Sequence, residues 1–224
     1  MSVASLVMPS GPIDPAEVAS AEIVSVRPGE HASVGVMLAR AFADDPLWCA
    51  LWPDAEHRDA ALTGMLSALT RTTIAAGGYV RAIGGGVGVA LWTPPGVELN
   101  AWALIRARLA LPRSVMRLPR SEMRTLLAVV DHMEKRRKAL VPDPHWYLQC
   151  IGVDPTRQGA GLGAALVREG LARASHDGVA AYLETETEFN VAFYKHLGFS
   201  VLEKHRLDEL GVPVWLMSKP PFPA

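Results

Sequence analysis

The chain has 224 residues, of which half are hydrophobic, and a formal net charge of −1 at pH 7. This length and apolar content predict one domain with a sizeable buried core, and the balanced charge gives no basic surface for nucleic-acid binding. Two cysteines are too few for a disulfide framework, and no hydrophobic run reaches the roughly 18 residues that a membrane span requires.

Residues 1–20 are predicted to be flexible, whereas residues 21–221 are predicted to be folded. The first segment contains three prolines and lacks the basic and apolar regions of a signal peptide, so we predict a flexible N-terminal arm. The second segment is predicted to form the domain. Without a secretion signal, we expect Cys49 and Cys150 to be reduced, buried thiols of a cytoplasmic protein.

The first half of the domain is predicted to alternate between strands and amphipathic helices. Three glycines, Gly84 to Gly86, lie between two strand-like runs. A phosphate-binding loop would need a following Lys and Ser or Thr, which are missing, so a tight hairpin turn is favoured. In chain order we predict a strand over 21–26, helices over about 30–43 and 58–75, and hairpin strands over 79–83 and 87–92.

An arginine-rich segment with one or two predicted helices follows, over residues 97–140. A membrane-surface or nucleic-acid-binding helix is one interpretation of it. Because apolar residues are interspersed and acidic residues follow, a solvated face over an apolar stripe is favoured. The arginines are Arg106, Arg108, Arg113, Arg117, Arg120 and Arg124.

Beyond this segment, a glycine-rich loop joins a predicted strand to a predicted helix. Residues 146–153 are apolar, aromatic and β-branched, as in a strand, and leucines recur near helical spacing from Leu162 onward. A glycine-rich turn at the start of a helix presents free backbone N–H groups and the positive end of the helix dipole. Since glycines allow the backbone to approach a ligand closely, the loop is predicted to bind a diphosphate.

Two families use such a loop. Gly159, Gly161 and Ala164 fit the dinucleotide fingerprint G-x-G-x-x-G/A, but a dinucleotide-binding oxidoreductase needs more βα units than the remaining residues, about sixty, can form. The pattern Gln-x-x-Gly-x-Gly over 158–163 resembles instead the acyl-CoA pyrophosphate loop of the GNAT superfamily of N-acetyltransferases.

A second motif favours the acetyltransferase resemblance. Asn190, Phe193, Tyr194, Gly198 and Phe199 have the spacing of the GNAT motif that opens a short helix after the fifth strand and leads into the next strand. Two motifs in the expected order are more specific than either alone. The resemblance implies a GNAT fold, a single α/β domain with a central mixed, largely antiparallel, twisted sheet of about seven strands, flanked by helices and splayed between strands 4 and 5.

Further segments are similar to the puromycin N-acetyltransferase branch, which confers antibiotic resistance. The similarity covers most of residues 20–221, is tightest over 143–203 and is loose over about 97–140. It implies an enzyme that moves acetyl from acetyl-CoA to a primary amine of a small molecule by direct attack in a ternary complex. The similar segments are 41–46, 89–94, 146–148, 183–185 and 214–220.

By this resemblance, the fourth strand and the glycine-rich loop would hold acetyl-CoA. Backbone groups of a bulged fourth strand would contact the thioester and pantetheine, and one N–H would stabilise the oxyanion. Arg157 either adds a charge-assisted contact to the pyrophosphate or is a solvated loop residue. Asn190 caps the short helix, contacts pantetheine or does both, and Phe193 packs against the cofactor or the core. The expected cofactor-binding residues are Cys150, Ile151, Gly152, Val153, Arg157, Gln158, Gly159, Ala160, Gly161, Leu162, Gly163, Ala164, Asn190, Phe193 and Tyr194.

Two side chains are expected to carry the proton transfers. Tyr194 occupies the family's general-acid position, where a neutral phenol can protonate the departing thiolate, although a helix aromatic packed on the sheet is the alternative. Glu184 is the candidate base, directly or through water, because a carboxylate buried near apolar groups has a raised pKa. Glu186 alternates onto the same strand face, but Glu186 and Glu188 fit solvated strand-end glutamates better. Cys150, a buried strand thiol, is not expected to form an acetyl-enzyme.

Asp44, Asp45 and Trp48 are the candidate acceptor-binding residues, because they follow the first helix, where the fold admits substrate. An acid beside an aromatic ring can hold a cationic amine, while helix capping by Asp44 and core packing by Trp48 are equally compatible. Asp45 stands where the puromycin branch has tyrosine, so the identity of the acceptor does not transfer. Three more aromatic residues either line the same cleft or pack between layers, namely Trp92, Trp146 and Tyr147.

Several alternatives stay open from the sequence. A protein lysine or N-terminal acetyltransferase would use the same chemistry, a non-catalytic acyl-CoA sensor would use the same scaffold, and a dinucleotide oxidoreductase is a remote third. The histidine spacing matches no metal-binding motif, so we expect no metal. Neither a nucleic-acid nor a membrane partner is expected, and both a monomer and a homodimer are possible.

Overall fold

A computed structural model of the chain describes residues 22–97 and 118–221. The predicted arm and residues 98–117 of the arginine-rich segment, including four of its arginines, lie outside these ranges. Within them, seven strands form one sheet in the order β1-β2-β3-β4-β5-β7-β6. The strands are β1 (Ile23–Ser25), β2 (Tyr79–Ile83), β3 (Gly88–Thr93), β4 (His145–Val153), β5 (Ala180–Thr185), β6 (Ser200–Leu207) and β7 (Val212–Lys219).

The sheet is mixed and largely antiparallel, because every neighbouring pair is antiparallel except β4 and β5. This confirms the predicted α/β fold class and its seven-stranded sheet. Gly84–Gly86 form a short 3₁₀ turn between β2 and β3, as expected for a hairpin rather than a phosphate loop. Helices flank the sheet, namely α1 (His31–Ala41), α2 (Pro46–Leu51), α3 (Ala55–Ala75), α4 (Arg120–Leu140), α5 (Leu162–His176) and α6 (Glu188–His196).

Helix α2 is the one described helix that the sequence patterns did not predict. Asp45 caps it, with Oδ1 accepting hydrogen bonds from the N–H groups of Leu47 at 3.0 Å and Trp48 at 3.4 Å. Pro46 occupies its first turn, where a missing N–H costs nothing. An acidic cap followed by proline is a start signal, but six residues are too few for a helical period to be visible.

The parallel strands β4 and β5 separate soon after they begin. Paired residues run only from His145, opposite Ala180, to Tyr147, opposite Tyr182. On its other side β4 continues beside β3, with a bulge where the register shifts by one residue around Gln149. A V-shaped gap therefore opens from Tyr147 toward the C-terminal ends of both strands, as the resemblance implied.

Both faces of the sheet are covered by apolar packing. Trp92 on β3 packs against the α5 and α6 side, while its neighbour Leu91 faces α1 and α3. Helix α5 approaches the sheet closely, since a Cβ on Gly170 would lie 2.2 Å from Trp92 Cε2. This contact fixes where α5 runs and thus where its N-terminus lies, at the end of β4.

Candidate active site

The glycine-rich loop has the geometry of an anion-binding turn. Gly159 and Gly161 both have φ of +82°, the left-handed region that favours glycine, and a Cβ on either would meet no atom within 4 Å. Space therefore remains directly above the backbone for a ligand. Gly161 precedes α5, and no side chain caps this helix, so its first N–H groups are available to an anion.

Asp154 anchors the beginning of this loop, and sequence reasoning did not identify it. Its Oδ1 accepts from the Thr156 N–H at 3.0 Å and hydroxyl at 2.6 Å, and its other carboxylate oxygen pairs with Arg40 of α1. Burial alone would raise the pKa of Asp154, but these Thr156 and Arg40 contacts lower it below its usual value. An acid that caps a turn just before glycines was the available signal.

The remaining loop residues are positioned around the start of α5. Arg157 is buried, with 5% of its surface exposed, so it is not the solvated loop arginine that the sequence left possible. Gln158 donates from Nε2 to the Val153 carbonyl at 3.2 Å. A Cβ on Gly163 would lie 3.8 Å from the Phe193 ring and 3.7 Å from Val153, so Phe193 packs where β4 meets α5.

A cavity of about 880 Å³ lies beside the gap between β4 and β5. It brings together residues that are far apart in the sequence, including both proposed catalytic side chains. Apolar side chains of α3 and α4 form much of its wall, among them Met65, Leu69 and Met123. The sequence-predicted residues that line it are Asp45, Trp48, Tyr147, Cys150, Ile151, Glu184, Asn190 and Tyr194.

Tyr194 lies in this cavity with a distinct set of neighbours. Only 6% of its surface is exposed, and burial, followed by the charge of Glu186 and the proximity of Cys150, raises the pKa of its phenol. The hydroxyl is therefore protonated at neutral pH. Burial likewise raises the pKa of the Cys150 thiol, with Asp45 and Glu186 contributing, so this sulfur has little thiolate character.

Glu186 is a functional candidate that the sequence interpretation undervalued. We expected a solvated glutamate, but the side chain lines the cavity, and burial together with the charges of Asp45 and Glu184 raises its pKa to about 8. Burial also raises the pKa of Asp45, against the effect of its backbone hydrogen bonds from Trp48 and Leu47. Glu188, in contrast, has a side chain that is 83% exposed, as predicted.

Glu184, near the end of β5, has different surroundings. Burial raises its pKa to about 7, while the nearby hydroxyls of Tyr147 and Tyr182 and the charge of Arg137 oppose the rise. Arg137 stacks over the Tyr147 ring, 4.8 Å from its centroid. Both glutamates can therefore exchange protons near neutral pH, but they do so beside different groups.

Helix α4 lines the cavity on the side opposite the sheet. Glu122 on α4 accepts hydrogen bonds from Trp52 Nε1 at 2.9 Å and lies 2.8 Å from His57 Nε2. Arg136 pairs with Glu203 of β6. These contacts hold the described part of the arginine-rich segment on α2, α3 and the sheet, so α4 is a structural wall with a polar outer face.

The other candidate acceptor-binding residues differ in whether they line the cavity. Asp44 is exposed and does not line the cavity, because the turn before α2 directs the neighbouring Asp45 inward as the helix cap. Trp92 and Trp146 pack in the core against α5, so of the three aromatic candidates Tyr147 lines the cavity. Trp48 also lines it and stacks on Trp52 at a centroid distance of 5.5 Å.

Asn190 does not cap the helix that contains it. Helix α6 begins at Glu188, and the Thr187 hydroxyl accepts the Asn190 N–H at 3.1 Å. Thr187 therefore fills the capping role, which leaves Asn190 on the first turn, lining the cavity. The pattern Thr187-Glu188 followed by an apolar run was the signal for this earlier start.

Two kinds of feature are absent from the described residues. Residues 22–97 and 118–221 contain no group of three or more His, Cys, Asp or Glu side chains that could hold a metal ion. Among the same residues, no helix combines the length and apolar character needed to cross a membrane. Both cysteines are free, with Cys150 buried and Cys49 only partly so.

Comparisons with known proteins point to one group of enzymes. The sequence profile described as the acetyltransferase (GNAT) family matches residues 126–199, which include β4, the glycine-rich loop, α5, β5 and all of α6. An uncharacterised N-acetyltransferase of Schizosaccharomyces pombe is 26% identical over 204 residues, covering 86% of this chain and 80% of that protein.

Solved acetyltransferase structures share the fold. A Corynebacterium glutamicum structure described as histone acetyltransferase HPA2 and related acetyltransferase superposes with a TM-score of 0.63 at 25% identity, covering 91% of this chain and 98% of that one. The polyamine N-acetyltransferase of Drosophila melanogaster, which forms N-acetylagmatine, gives a TM-score of 0.59 at 16% identity, covering 89% and 99%. The likeness to the latter concerns the fold alone.

Proposed function

For this chain, an acetyl-CoA-dependent N-acetyltransferase with the fold of the GNAT superfamily, we propose that the acceptor is a primary amine of a small, partly apolar molecule. The observation that supports this most is the cavity of about 880 Å³, in which the partly buried carboxylates of Asp45, Glu184 and Glu186 share an apolar wall with Tyr194. Cavities of this size bind small ligands, and a few polar groups in an apolar lining set their orientation.

The donor side of the site would be the gap between β4 and β5 and the glycine-rich loop. The edge of β4 that faces β5 is unpaired after Tyr147, so its backbone groups are available to pantetheine from Cys150 to Val153. The N–H groups from Gln158 to Ala164 would bind the pyrophosphate, with the left-handed glycines leaving room for it.

The reaction would proceed by direct attack on the thioester. The amine, once deprotonated, forms the new C–N bond, the C–S bond breaks, and Tyr194 donates its proton to the departing thiolate. A cavity carboxylate takes the proton from the acceptor ammonium. The raised pKa of the Cys150 thiol supports direct attack over an acetyl-cysteine intermediate.

Two carboxylates qualify as the base. The sequence pattern favoured Glu184, whereas the surroundings favour Glu186, because Glu186 is an electrostatic neighbour of both Tyr194 and Cys150. We therefore propose Glu186 as the group that receives the acceptor's proton, with Glu184 as the candidate it must be tested against. Either carboxylate, once ionised, also attracts a cationic amine.

The puromycin branch remains a proposal for the acceptor class. An acid and an aromatic ring, Asp45 and Trp48, line the cavity together and suit a cationic amine with an aromatic body. The alternative acceptor is a protein lysine or N-terminus. The description of the similar Corynebacterium glutamicum structure as a histone acetyltransferase supports this alternative. The size of the cavity and its largely apolar lining favour a small molecule over a peptide.

The test combines binding with turnover. Calorimetric titration with acetyl-CoA, and separately with NADH, is followed by thiol release from a panel of amines that includes puromycin and a lysine peptide. We expect acetyl-CoA binding and thiol release with small amines. Binding without release from any amine would favour an acyl-CoA sensor, and NADH binding without acetyl-CoA binding would reject the assignment.

A single variant tests the proposed acid. Tyr194→Phe should lower kcat by about 10²–10⁴-fold, the usual contribution of general acid catalysis, while acetyl-CoA affinity stays within about threefold. Tyr79→Phe, which removes the hydroxyl of a tyrosine that does not line the cavity and that donates to Glu169, is the matched control for losing a phenol oxygen. A kcat for Tyr194→Phe close to that of the wild type would contradict the role.

A further inference from the structure

We propose that the side-chain amide of Gln149 selects acceptors that carry a carbonyl or ether oxygen near the amine to be acetylated. In this role Gln149 is a specificity-determining residue, which donates a hydrogen bond from Nε2 to that oxygen and takes no part in the proton transfers. The inference rests on the proposed function and narrows its acceptor to amines with such an oxygen.

Gln149 is the extra residue of the β4 bulge. Its neighbours Leu148 and Cys150 lie opposite consecutive residues of β3, so Gln149 itself has no partner position on that strand. Consecutive residues of a regular strand point to opposite faces, but Cys150 packs on the α1 and α3 side of the sheet and Gln149 also reaches α3. Bulges redirect side chains in this way beside active sites. Here the bulge adds Gln149 to the cavity wall.

Thr73 on α3 fixes the orientation of this amide. The Thr73 side chain is fully buried, and its hydroxyl donates to Gln149 Oε1 at 3.1 Å. Because the amide group is planar and carries its oxygen and nitrogen on opposite sides, this hydrogen bond turns Nε2 away from Thr73. Nε2 donates to no residue within 22–97 and 118–221. Since Gln149 is only partly buried and lines the cavity, its N–H groups are available to a ligand.

This donor complements the carboxylates of the same cavity. Asp45, Glu184 and Glu186 can attract an ammonium group, but an ionised carboxylate has no proton to donate to an oxygen. Gln149 supplies N–H donors without adding charge. A ligand with both a cationic amine and a neutral oxygen would satisfy both kinds of group, whereas a plain alkylamine would cover the amide without bonding it, at a cost in binding free energy.

The position of Gln149 on β4 places the recognised oxygen close to the amine. Gln149 lies between Tyr147, the last residue of β4 that pairs with β5, and Cys150, whose thiol is an electrostatic neighbour of Glu186. Consecutive strand residues are about 3.3 Å apart, so Gln149 is one residue away from the reacting end of the cavity. We therefore expect the oxygen to lie within a few bonds of the amine.

The test compares acceptors that differ by one oxygen. Primary alkylamines and arylalkylamines of several chain lengths are paired with analogues in which a methylene near the amine is replaced by a carbonyl group or an ether oxygen. Each amine is assayed by thiol release with acetyl-CoA. Every variant is compared with the wild type on the same amine, so that the lower basicity of the oxygen-bearing amines cancels.

Gln149→Met should lower kcat/KM by about tenfold or more for the oxygen-bearing member of at least one pair, mainly through KM, because the oxygen loses its donor. The plain amine should change by less than about threefold, and so should the acetyl-CoA affinity measured by calorimetry. Thr73→Val, which nearly keeps the shape of the buried side chain, should lose part of the same discrimination because the amide is no longer oriented.

Glu134→Met is the matched control for placing methionine in the cavity wall. Glu134 lines the cavity from α4, where it pairs with Lys138 at 2.9 Å. This control should keep the wild-type ratio of kcat/KM between the two members of each pair.

Each contrary outcome is distinguishable. Equal losses for both members of every pair in Gln149→Met would mean that Gln149 acts on a step common to all acceptors, and would reject the proposal, as would wild-type kcat/KM for every oxygen-bearing amine. If the wild type releases thiol from no amine, the proposed function fails. Calorimetric binding of the same pairs then still decides on Gln149, since Gln149→Met should weaken the binding of the oxygen-bearing members alone.

Discussion

Glu186→Gln should stabilise the folded protein at alkaline pH while impairing catalysis. Burial, Asp45 and Glu184 raise the pKa of Glu186 from 4.5 to about 8, so the folded state keeps this proton over a pH range in which the unfolded chain has released it. Its stabilising contribution is present below pH 4.5 and is lost as pH rises through about 8. Glutamine has nearly the same shape but never acquires the buried charge.

The magnitude follows from the same linkage. Each pH unit between the two pKa values is worth about 1.4 kcal/mol, which limits the effect to about 5 kcal/mol at pH 9. Asp45 and Glu184 share the repulsion, and Glu186 is partly in contact with solvent, so we expect a gain of about 1–3 kcal/mol. Near pH 4, where the wild-type carboxyl is protonated, the two proteins should be about equally stable.

Urea denaturation at pH 4, 6, 7.5 and 9 measures this difference, with Glu188→Gln as the control at a side chain that is 83% exposed. The stability difference between Glu186→Gln and the wild type should grow from pH 4 to pH 8 and then level off, while the control stays flat. The rising acid limb of kcat should also be lost in Glu186→Gln if Glu186 is the base. A variant that is less stable than the wild type at pH 9 would refute the buried-charge argument.

Two glycine substitutions test the loop and the packing that positions it. Gly161→Val should weaken acetyl-CoA binding by at least tenfold in calorimetry, because its Cβ would occupy the open space above the loop. Gly178→Val is the control, since Gly178 also has a left-handed backbone with open space around it but lies at the other end of α5. Equal losses of acetyl-CoA affinity in both variants would contradict the assignment. Gly170→Ala should destabilise the fold by about 1–3 kcal/mol in urea denaturation, because its Cβ would overlap Trp92. We expect Trp92→Phe to restore part of the lost stability. If Gly170→Ala were as stable as the wild type, α5 would be able to move away from the sheet.

The elements that the sequence predicted well are those with a local signal. The glycine-rich loop, α5 and the motif around Tyr194 depend on turn chemistry and helical spacing, and they occupy the places that the motif order implied. Helix α2 was missed because six residues carry no period, and the start of α6 was misplaced because Asn190 competes with Thr187 as a cap. Asp154 was missed because its partner Arg40 is 114 residues away in the chain.

Glu186 is less exposed than the sequence predicted for a related reason. Sequence alternation put Glu186 on the face of Glu184 only if the strand continued, but β5 ends at Thr185, and alternation does not tell whether a strand face meets solvent. Here α4 covers it, and α4 is held there by contacts such as Glu122 with Trp52, which link residues 70 positions apart. A strand-end glutamate that looks solvated in the sequence is therefore enclosed by a helix from a distant segment.

Because α4 lies over Glu186 and also lines the acceptor cavity, both the acid–base chemistry and the choice of acceptor should depend on this helix. The helix that removes water from Glu186, and so raises its pKa into the working range, also supplies Met123 and Arg137 to the cavity. A substitution that loosened α4, such as Glu122→Ala, would admit water and move the pKa of Glu186 toward its ordinary value. It would then shift the acid limb of kcat to lower pH and weaken acceptor selection together, whereas a wall that served binding alone would leave the pH profile unchanged.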